Sequence, residues 1–227
     1  MSVEKKKIII VVAALLAFAV LAFFFNSSLT GFFVAKEEVI KIGWMGPQTG
    51  QSAVLGMDSA VAAQIAVDEI NARGGINGKK IQLIIEDDQY NIAKAATAYK
   101  KLVEVDGVKL ILANTYGSIF ALADEAEKDG VILLDPLDCN KVLAELNDNV
   151  FCLATDSESI ATALVGNAEQ NNVKKVAIIH WNSDSFMPLV KDFFVEKFKT
   201  GEAKVVEGYS AGTTDFRTTL LKAIDKK

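Results

Sequence analysis

From residue 39 onward the sequence predicts an α/β fold, in which helices wind around both faces of parallel β-sheet. Three observations predict it. Seven β-rich runs alternate with helical segments, most of these runs are continuously apolar as buried parallel strands require, and glycines stand where the helices stop. Such strands are joined by right-handed crossovers, and ligands bind beyond their carboxyl ends. A functional site is therefore expected in the loops that follow the strands.

The predicted elements follow one another regularly along the chain. The strands are predicted over 39–45, 80–86, 108–112, 131–134, 150–154, 175–180 and 204–209. The helices are predicted over 54–72, 92–105, 118–128, 140–146, 157–171, 186–199 and 214–225. Ser118 is expected to cap the third helix, because a serine hydroxyl can accept a hydrogen bond from a free amide of the first turn.

The N-terminal segment differs from the rest, since residues 8–25 form an unbroken apolar run of 18 residues. At about 1.5 Å per residue this run reaches about 27 Å, close to the roughly 30 Å of a bilayer core. Lys5, Lys6 and Lys7 precede it, and by the positive-inside rule they stay in the cytoplasm. We therefore expect an uncleaved membrane anchor that holds an extracytoplasmic protein. A cleaved signal segment, which would leave a secreted or periplasmic product, is the first alternative. A buried core helix is the second, and it would leave the three lysines without a role.

Composition excludes several classes of partner. The net charge of the 227 residues is −5, and the part after residue 38 carries −6, so nucleic acid and anionic membrane surfaces are not expected as main partners. Two cysteines and one histidine leave little room for a metal cluster. Cys139 and Cys152 could form a disulfide outside the cell, or they could be free small apolar residues.

The loops after the strands are poor in catalytic chemistry. Residues 43–50 contain glycines but neither the Rossmann spacing nor a P-loop lysine, so no nucleotide cofactor is expected. Asp87 and Asp88 could bind a cation, but neighbouring strand residues point in opposite directions, which favours one solvated and one capping acid. His180 has no nucleophile placed beside it by spacing. These loops therefore give no support to a catalytic function.

Several motifs together resemble a known family. Residues 40–43, Gly46-Pro47 and Thr49-Gly50 are followed by a helix that closes in 71–78, Asn-Ala-Arg-Gly-Gly-Ile-Asn-Gly, and then by Asp87-Asp88. This order is similar to that of the type I periplasmic solute-binding proteins of the branched-chain amino acid (Leu/Ile/Val) class. The resemblance implies two Rossmann-like doubly wound lobes that close on a small solute.

The resemblance also implies a set of ligand-binding residues. One loop would hold an amino acid carboxylate, a second loop and an apolar wall would flank the solute, and aromatic rings would cover it from the second lobe. These positions are Tyr116, Gly117 and Ser118; Leu137, Asp138 and Cys139; Leu55; and Trp181 and Phe186. The second loop departs from the small residues of relatives, which argues against a simple branched-chain amino acid.

Asp138 has two interpretations. An acid between two closing lobes would meet a ligand cation or a base of the second lobe, because a buried unpaired carboxylate is costly. Alternatively, it caps the short helix that starts near Asn140.

The apolar run predicts an anchor or signal with a stalk in 1–38, and the resemblance predicts a first ligand-binding lobe in 39–155 and part of a second lobe in 156–227. Relatives continue further, so we expect a fragment or an interrupted gene product whose second sheet has uncovered apolar faces. A degenerate or partnered protein is the alternative. The expected function is capture of an amino acid-like or amide-like solute for an ABC transporter permease. A membrane-anchored sensor ectodomain and an extracellular enzyme are the alternatives.

Overall fold

The apolar runs of the sequence form two parallel sheets in the computed structural model, which describes residues 15–18, 20–21, 38–182, 184–210 and 212–225. The first sheet has the strand order β2-β1-β3-β4-β5 and the second pairs β6 with β7. The strands are β1 Ile40–Gly46, β2 Ile81–Asp87, β3 Leu110–Ala113, β4 Ile132–Asp135, β5 Val150–Cys152, β6 Lys175–Trp181 and β7 Glu202–Tyr209. All seven predicted strands are confirmed.

Helices connect these strands as the alternation predicts. They are α1 Ala53–Ala72, α2 Ile92–Lys100, α3 Tyr116–Asp129, α4 Lys141–Ala144, α5 Ser157–Gln170, α6 Met187–Lys197 and α7 Arg217–Asp225. We call residues 39–156 the five-stranded half and residues 157–225 the two-stranded half. The predicted α/β fold with parallel sheets is confirmed.

Each half has its own apolar core. In the five-stranded half, the core includes Met45, Ile111, Leu122 and Leu133, all at most 2% exposed. In the two-stranded half, α5 packs on α6 around Ala161, Val165, Phe194 and Phe198. Strand β6 is only partly buried, and an apolar hollow of about 440 Å³ lies between it, α5 and α6. Helices α5 and α6 cover this side of β6, so the expectation that the second sheet has uncovered apolar faces stays a prediction.

Two helix predictions need correction. The predicted 92–105 helix changes at Lys101 into a π-helix, Lys101–Val105, in which the Asp106 amide donates to the Lys101 carbonyl and Leu102 is wholly buried. Ser118 does not cap α3, because the helix already begins at Tyr116, after the extended Thr115. Ser118 is the third helical residue, and its amide donates to the Thr115 carbonyl.

Helix α1 lies close to the loop that follows β1, and a glycine makes this possible. A Cβ built on Gly56 would lie 1.6 Å from the carbonyl oxygen of Pro47. The glycine therefore allows the helix to pack directly on the loop, which places the first turn of α1 beside the carboxyl end of β1.

The N-terminal apolar run falls mostly outside the described residues. Residues 15–18 and 20–21 are helical. None of the helices within the described part of the chain is long and apolar enough to cross a membrane. The anchor or signal predicted for 8–25 stays a prediction.

A disulfide joins Cys139, in the loop after β4, to Cys152, the last residue of β5. Their Cα atoms are 5.3 Å apart, within the usual range for such a bond. The Cys139 carbonyl also accepts a hydrogen bond from the Ser157 amide at the start of α5. Of the two alternatives for the cysteines, the structure therefore shows the disulfide. The disulfide and this hydrogen bond hold the 136–140 loop beside the crossover into the two-stranded half.

Replacing both cysteines by serine should lower the free energy of unfolding by about 3 kcal/mol, because a bridge across 13 residues restricts the unfolded chain. Denaturant titration of the 227-residue chain in mild detergent measures the change, and peptide mapping without reductant checks the bridge. Equal stability of the two forms, or alkylation of both thiols in the native protein, would contradict the assignment.

Candidate ligand-binding cleft

The two halves meet at the carboxyl ends of their strands. Tyr90, which follows β2, donates a hydrogen bond from its hydroxyl to Asp184 and stacks on Trp181 with ring centroids 5.4 Å apart. Tyr116, which begins α3, meets Phe186 edge to face at 5.5 Å. These contacts pair loops after β2 and β3 with the end of β6 and the loop after it, which is where the sequence places the site.

Two glycines let the halves approach closely. A Cβ on Gly117 would lie 2.9 Å from the Ser185 hydroxyl oxygen, and one on Gly212 would lie 2.6 Å from the side-chain nitrogen of Gln51. Gly117, expected to line the site, therefore lies at the contact between the halves. Gly212 adopts φ +81°, a left-handed conformation that suits glycine, so a larger residue there would strain the backbone as well.

The adjacent carboxylates at the end of β2 hold the neighbouring loops. Asp87 accepts hydrogen bonds from the Gln48 amide at 2.8 Å and the Thr49 hydroxyl at 2.6 Å. Burial acts to raise the pKa of Asp87, but these hydrogen bonds outweigh it and hold the pKa below its ordinary value. Asp88 is wholly buried and accepts from the Thr115 hydroxyl at 2.7 Å. Both acids therefore anchor the loops that follow β1 and β3.

These acids also fix an unusual backbone. Gln89 and Tyr90 both have left-handed φ angles, 51° and 56°. Few residues with side chains adopt this conformation unless nearby contacts impose it. Here each amide donates to the carboxylate two residues earlier, at 2.9 Å to Asp87 and 2.8 Å to Asp88. The turn places the Tyr90 ring against the two-stranded half.

A cavity of about 210 Å³ lies between the halves. It is lined by Gln51, Ser52, Val54, Leu55, Trp181, Tyr209 and Gly212. Of the residues named from the sequence, Leu55 and Trp181 line this cavity. The Trp181 indole nitrogen is buried and has no hydrogen-bond partner among the described residues. The other residues of the cavity wall were not identified from the sequence. The position of Tyr209 at the carboxyl end of β7 could have indicated it, because ligands of such sheets bind at these ends.

Phe186 and Tyr116 do not line this cavity. Phe186 is 2% exposed and packs in the core of the five-stranded half, next to the 4% exposed Tyr116. The Tyr116 hydroxyl lies within hydrogen-bonding distance of the Asn140 side-chain amide. Burial raises the pKa of Tyr116, so its hydroxyl stays protonated at neutral pH. In this structure the two rings pack in the core and do not line the cavity, although the resemblance assigns both to the binding site.

The side-chain hydroxyls of residues 115–118 are hydrogen-bonded within the protein or buried. The Thr115 hydroxyl donates to Asp88, and Ser118 is wholly buried, with a hydroxyl that has no partner in the described part of the chain. His180 lies elsewhere, in the wall of the hollow on β6. The loop thus presents no accessible side-chain hydroxyl to the cavity in this conformation.

The loop after β4 contains three of the residues that were predicted to bind a solute. Leu137 is 44% exposed, and Cys139 forms the disulfide. Asp138 does not cap the short helix: Asn140 does so, accepting from the Leu143 amide at 2.7 Å. The capping interpretation of Asp138 is therefore wrong, because the residue two places later already satisfies that helix end.

Three carboxylates lie near one tyrosine. The negative charges of Asp184, Asp138 and Asp135 each raise the pKa of Tyr90. Burial, then the charges of Asp135 and Asp184, raise the pKa of Asp138 to about 7. Burial raises the pKa of Asp135 to about 6, although two backbone amides donate to it. The pKa of Tyr90 is raised far above its ordinary value by burial and by its hydrogen bond to Asp184, with smaller effects from the other two acids. Asp135, Asp184 and Tyr90 were not identified from the sequence; each lies at or just after the end of β4, β6 or β2.

Phe186→Ala should cost about 3 to 5 kcal/mol of folding stability, because it empties a buried aromatic site. Removal of an aromatic ring that only covers a solute would cost far less folding stability. Thermal or urea unfolding without added solute measures the loss, and Phe151→Ala, which removes a 49% exposed ring, is the matched control. A loss no greater than that of the control would show that Phe186 is not a core residue in solution.

Asp138→Asn should stabilise the protein at pH 8 and have little effect near pH 4. In the folded state the pKa of Asp138 is about 7, above the ordinary 3.8, so stability falls as pH rises between these values. The groups that face Asp138 are Asp135, Asp184, Tyr90 and Tyr116, of which Asp135 titrates in the same range. Asparagine cannot ionise, so the variant does not lose this folding stability as the pH rises. Melting temperatures across the pH range test the prediction, and a variant less stable at pH 8 than at pH 4, relative to the parent, would contradict it.

Comparisons with known proteins agree with this architecture. The Leu/Ile/Val-binding protein of Escherichia coli K12 is 28% identical over 194 residues, which is 83% of this chain and 52% of the relative. An amino acid binding protein of Pseudomonas aeruginosa is 29% identical over 203 residues, covering 86% of this chain and 54% of the relative. The chain therefore spans about half the length of the curated relatives it matches.

A solved structure is also similar. The branched-chain amino acid transporter substrate binding protein of Streptococcus pneumoniae, in complex with isoleucine, superposes with a TM-score of 0.75 at 31% identity, over 82% of this chain and 53% of that one. A leucine binding protein of Thermotoga maritima has a TM-score of 0.73 at 22% identity, over 83% and 54%, and so shows the fold alone. The family model described as periplasmic binding protein matches residues 39–227, and this chain belongs to that family.

Proposed function

We propose that this chain is the ligand-binding part of an extracytoplasmic solute-binding protein, which captures a small amino acid-like or amide-like solute for an ABC-type importer. The observation that carries the proposal is the cavity of about 210 Å³ between the halves, at the carboxyl ends of β1, β6 and β7. Ligands of open α/β sheets bind at such ends. A cavity this small suits a metabolite better than a drug-sized molecule.

The composition of the cavity supports closure on a solute. Leu55 and Gln51 come from the five-stranded half, while Trp181 and Tyr209 come from the two-stranded half. A solute between them would contact both halves at once. It would therefore favour the closed arrangement over an open one, and this difference is the signal that a transport partner could read.

Two further observations support the extracytoplasmic part of the proposal. The Cys139–Cys152 disulfide suits an oxidising compartment. The relatives named above are binding proteins, one of them the substrate binding protein of a transporter. Attachment to the membrane through residues 8–25 and docking on an ABC permease belong to the same proposal. It involves no catalytic step and no cofactor.

Trp181→Ala should weaken solute binding about tenfold or more, because a large aromatic wall with an unpaired indole N–H is a typical source of binding energy. Isothermal titration with leucine, isoleucine, glutamine, acetamide and lysine measures the affinities. Only two tryptophans are present and Trp44 is 1% exposed, so quenching of Trp181 fluorescence gives a second readout.

Phe151→Ala is the control, since it removes an exposed ring that does not line the cavity. Its affinities should equal those of the parent chain. Absence of binding by every solute in the series, or equal binding by the Trp181→Ala variant, would overturn the proposal.

A further inference from the structure

Helix α1 exposes several of its larger apolar side chains. Four of them recur at spacings of three, four and four residues: Val54, Met57, Val61 and Ile65. At about 100° per residue they lie within an arc of about 80° on the helix surface. Their exposed fractions are 71%, 52%, 59% and 55%. We call these four residues the α1 stripe.

The α1 stripe is not the face by which the helix packs on the sheet. The buried residues of α1 are Gly56, Ala60 and Val67, which lie in a separate arc centred about 120° away. The helix therefore packs through mostly small side chains and exposes larger ones, the reverse of an ordinary amphipathic helix. Packing within the described part of the chain does not account for the α1 stripe.

The α1 stripe has the size of an interaction site. Its neighbouring members are three or four residues apart, so their side chains adjoin and form one continuous patch. Exposed to this extent, four such side chains present about 400 Å² of apolar surface, within the range in which patches on monomers are often functional. Apolar surface of this extent favours association with another apolar surface.

The charges within α1 all have one sign. Asp58 lies three and four residues from two members of the stripe, and Asp68 and Glu69 follow its last member by three and four. Helix α1 contains no lysine or arginine. Arg73, directly after the helix, pairs with Glu69 at 3.8 Å. No ion pair between described residues includes Asp58 or Asp68. The α1 stripe therefore has an acidic border.

This border decides between the possible partners. A second copy of the chain, docked helix to helix, would bring acids against the same acids, and like charges at such a contact oppose pairing. An anionic membrane surface would be repelled in the same way. A helix with an apolar stripe and lysine or arginine along its sides complements both the α1 stripe and its border.

We propose that the α1 stripe is a docking surface for a basic amphipathic helix of another polypeptide. The apolar side chains of the partner pack on the stripe, and its flanking basic side chains lie near Asp58, Asp68 and Glu69. Burial of the stripe supplies most of the affinity, while the charges select the partner and speed its approach. Of the stripe, only Val54 lines the solute cavity, so this surface goes beyond the proposed solute binding.

Two synthetic helices of three heptads test the proposal with the 227-residue chain in mild detergent. Both have leucine at the a and d positions, and the e and g positions are lysine in one and glutamate in the other. Fluorescence anisotropy of the labelled helices, corrected for binding to detergent alone, measures their affinities. The lysine helix should bind about tenfold or more tightly, and added salt or Asp58→Asn should reduce this difference.

A pair of double variants tests whether the helix binds at the stripe. Val61→Ser with Ile65→Ser should weaken binding of the lysine helix about tenfold or more, because it removes half of the apolar stripe. Val142→Ser with Ile224→Ser is the matched control, since these residues are 63% and 53% exposed on other helices. The control should bind as the parent does, and equal melting temperatures check that both variants fold.

Oxidation by peroxide locates the bound helix without any substitution. Met57 belongs to the stripe and is 52% exposed, while Met187 is 44% exposed on α6. Exposed methionine is converted to its sulfoxide, so a helix on the stripe should slow the oxidation of Met57 several-fold and leave that of Met187 unchanged.

Three results would overturn the proposal. The first is equal affinity of the two helices, or an equal loss of affinity in the two double variants. The second is self-association of the parent chain that Val61→Ser with Ile65→Ser abolishes in sedimentation velocity, which would assign the stripe to a second copy. The third is protection of Met57 in phosphatidylcholine bilayers without an added helix, which would assign the stripe to a lipid surface.

Discussion

The cleft depends on one buried carboxylate, that of Asp88. It lies directly after β2, is wholly buried, and accepts hydrogen bonds from the Thr115 hydroxyl and the Tyr90 amide. Its own amide donates to the Gly46 carbonyl at 3.1 Å. One residue thus connects the carboxyl ends of β1, β2 and β3. Burial raises its pKa, and its hydrogen bonds offset part of that effect, so the charged form depends on these partners.

Two site features follow from that anchor. The bond to the Tyr90 amide fixes a left-handed turn that places the ring on Trp181 and its hydroxyl on Asp184. The bond to Thr115 removes that hydroxyl from any role with a solute. The same carboxylate therefore shapes the aromatic wall and limits how the loop before α3 can bind an anion.

The fold could be predicted almost completely from the sequence, because apolar periodicity and glycine positions report directly on strands and helix ends. All seven strands were found, and every predicted strand end lies within two residues of the observed one. The π-helix at Lys101–Val105 could not be predicted, since it depends on how Leu102 fits a core assembled from distant segments.

The site was harder to predict, for a physical reason. Leu55 and Trp181 line the cavity as the family pattern implies, whereas Phe186 lies in the core. Phe186 meets the buried Tyr116 ring edge to face, and this contact holds both rings in the core. Asp184 gains its importance only from its hydrogen bond with Tyr90 across the cleft, which no local pattern reports.

Asp138 lies where its charge opposes folding. Without a solute its charge lies among two other acids in a partly buried place, and this lowers the stability of the folded state at neutral pH. Asparagine at this position keeps nearly the same shape and carries no charge, so the stability lost on ionisation is what the Asp138→Asn variant should recover. None of the ion pairs between described residues reaches this carboxylate, so no basic group of the described residues lowers its raised pKa.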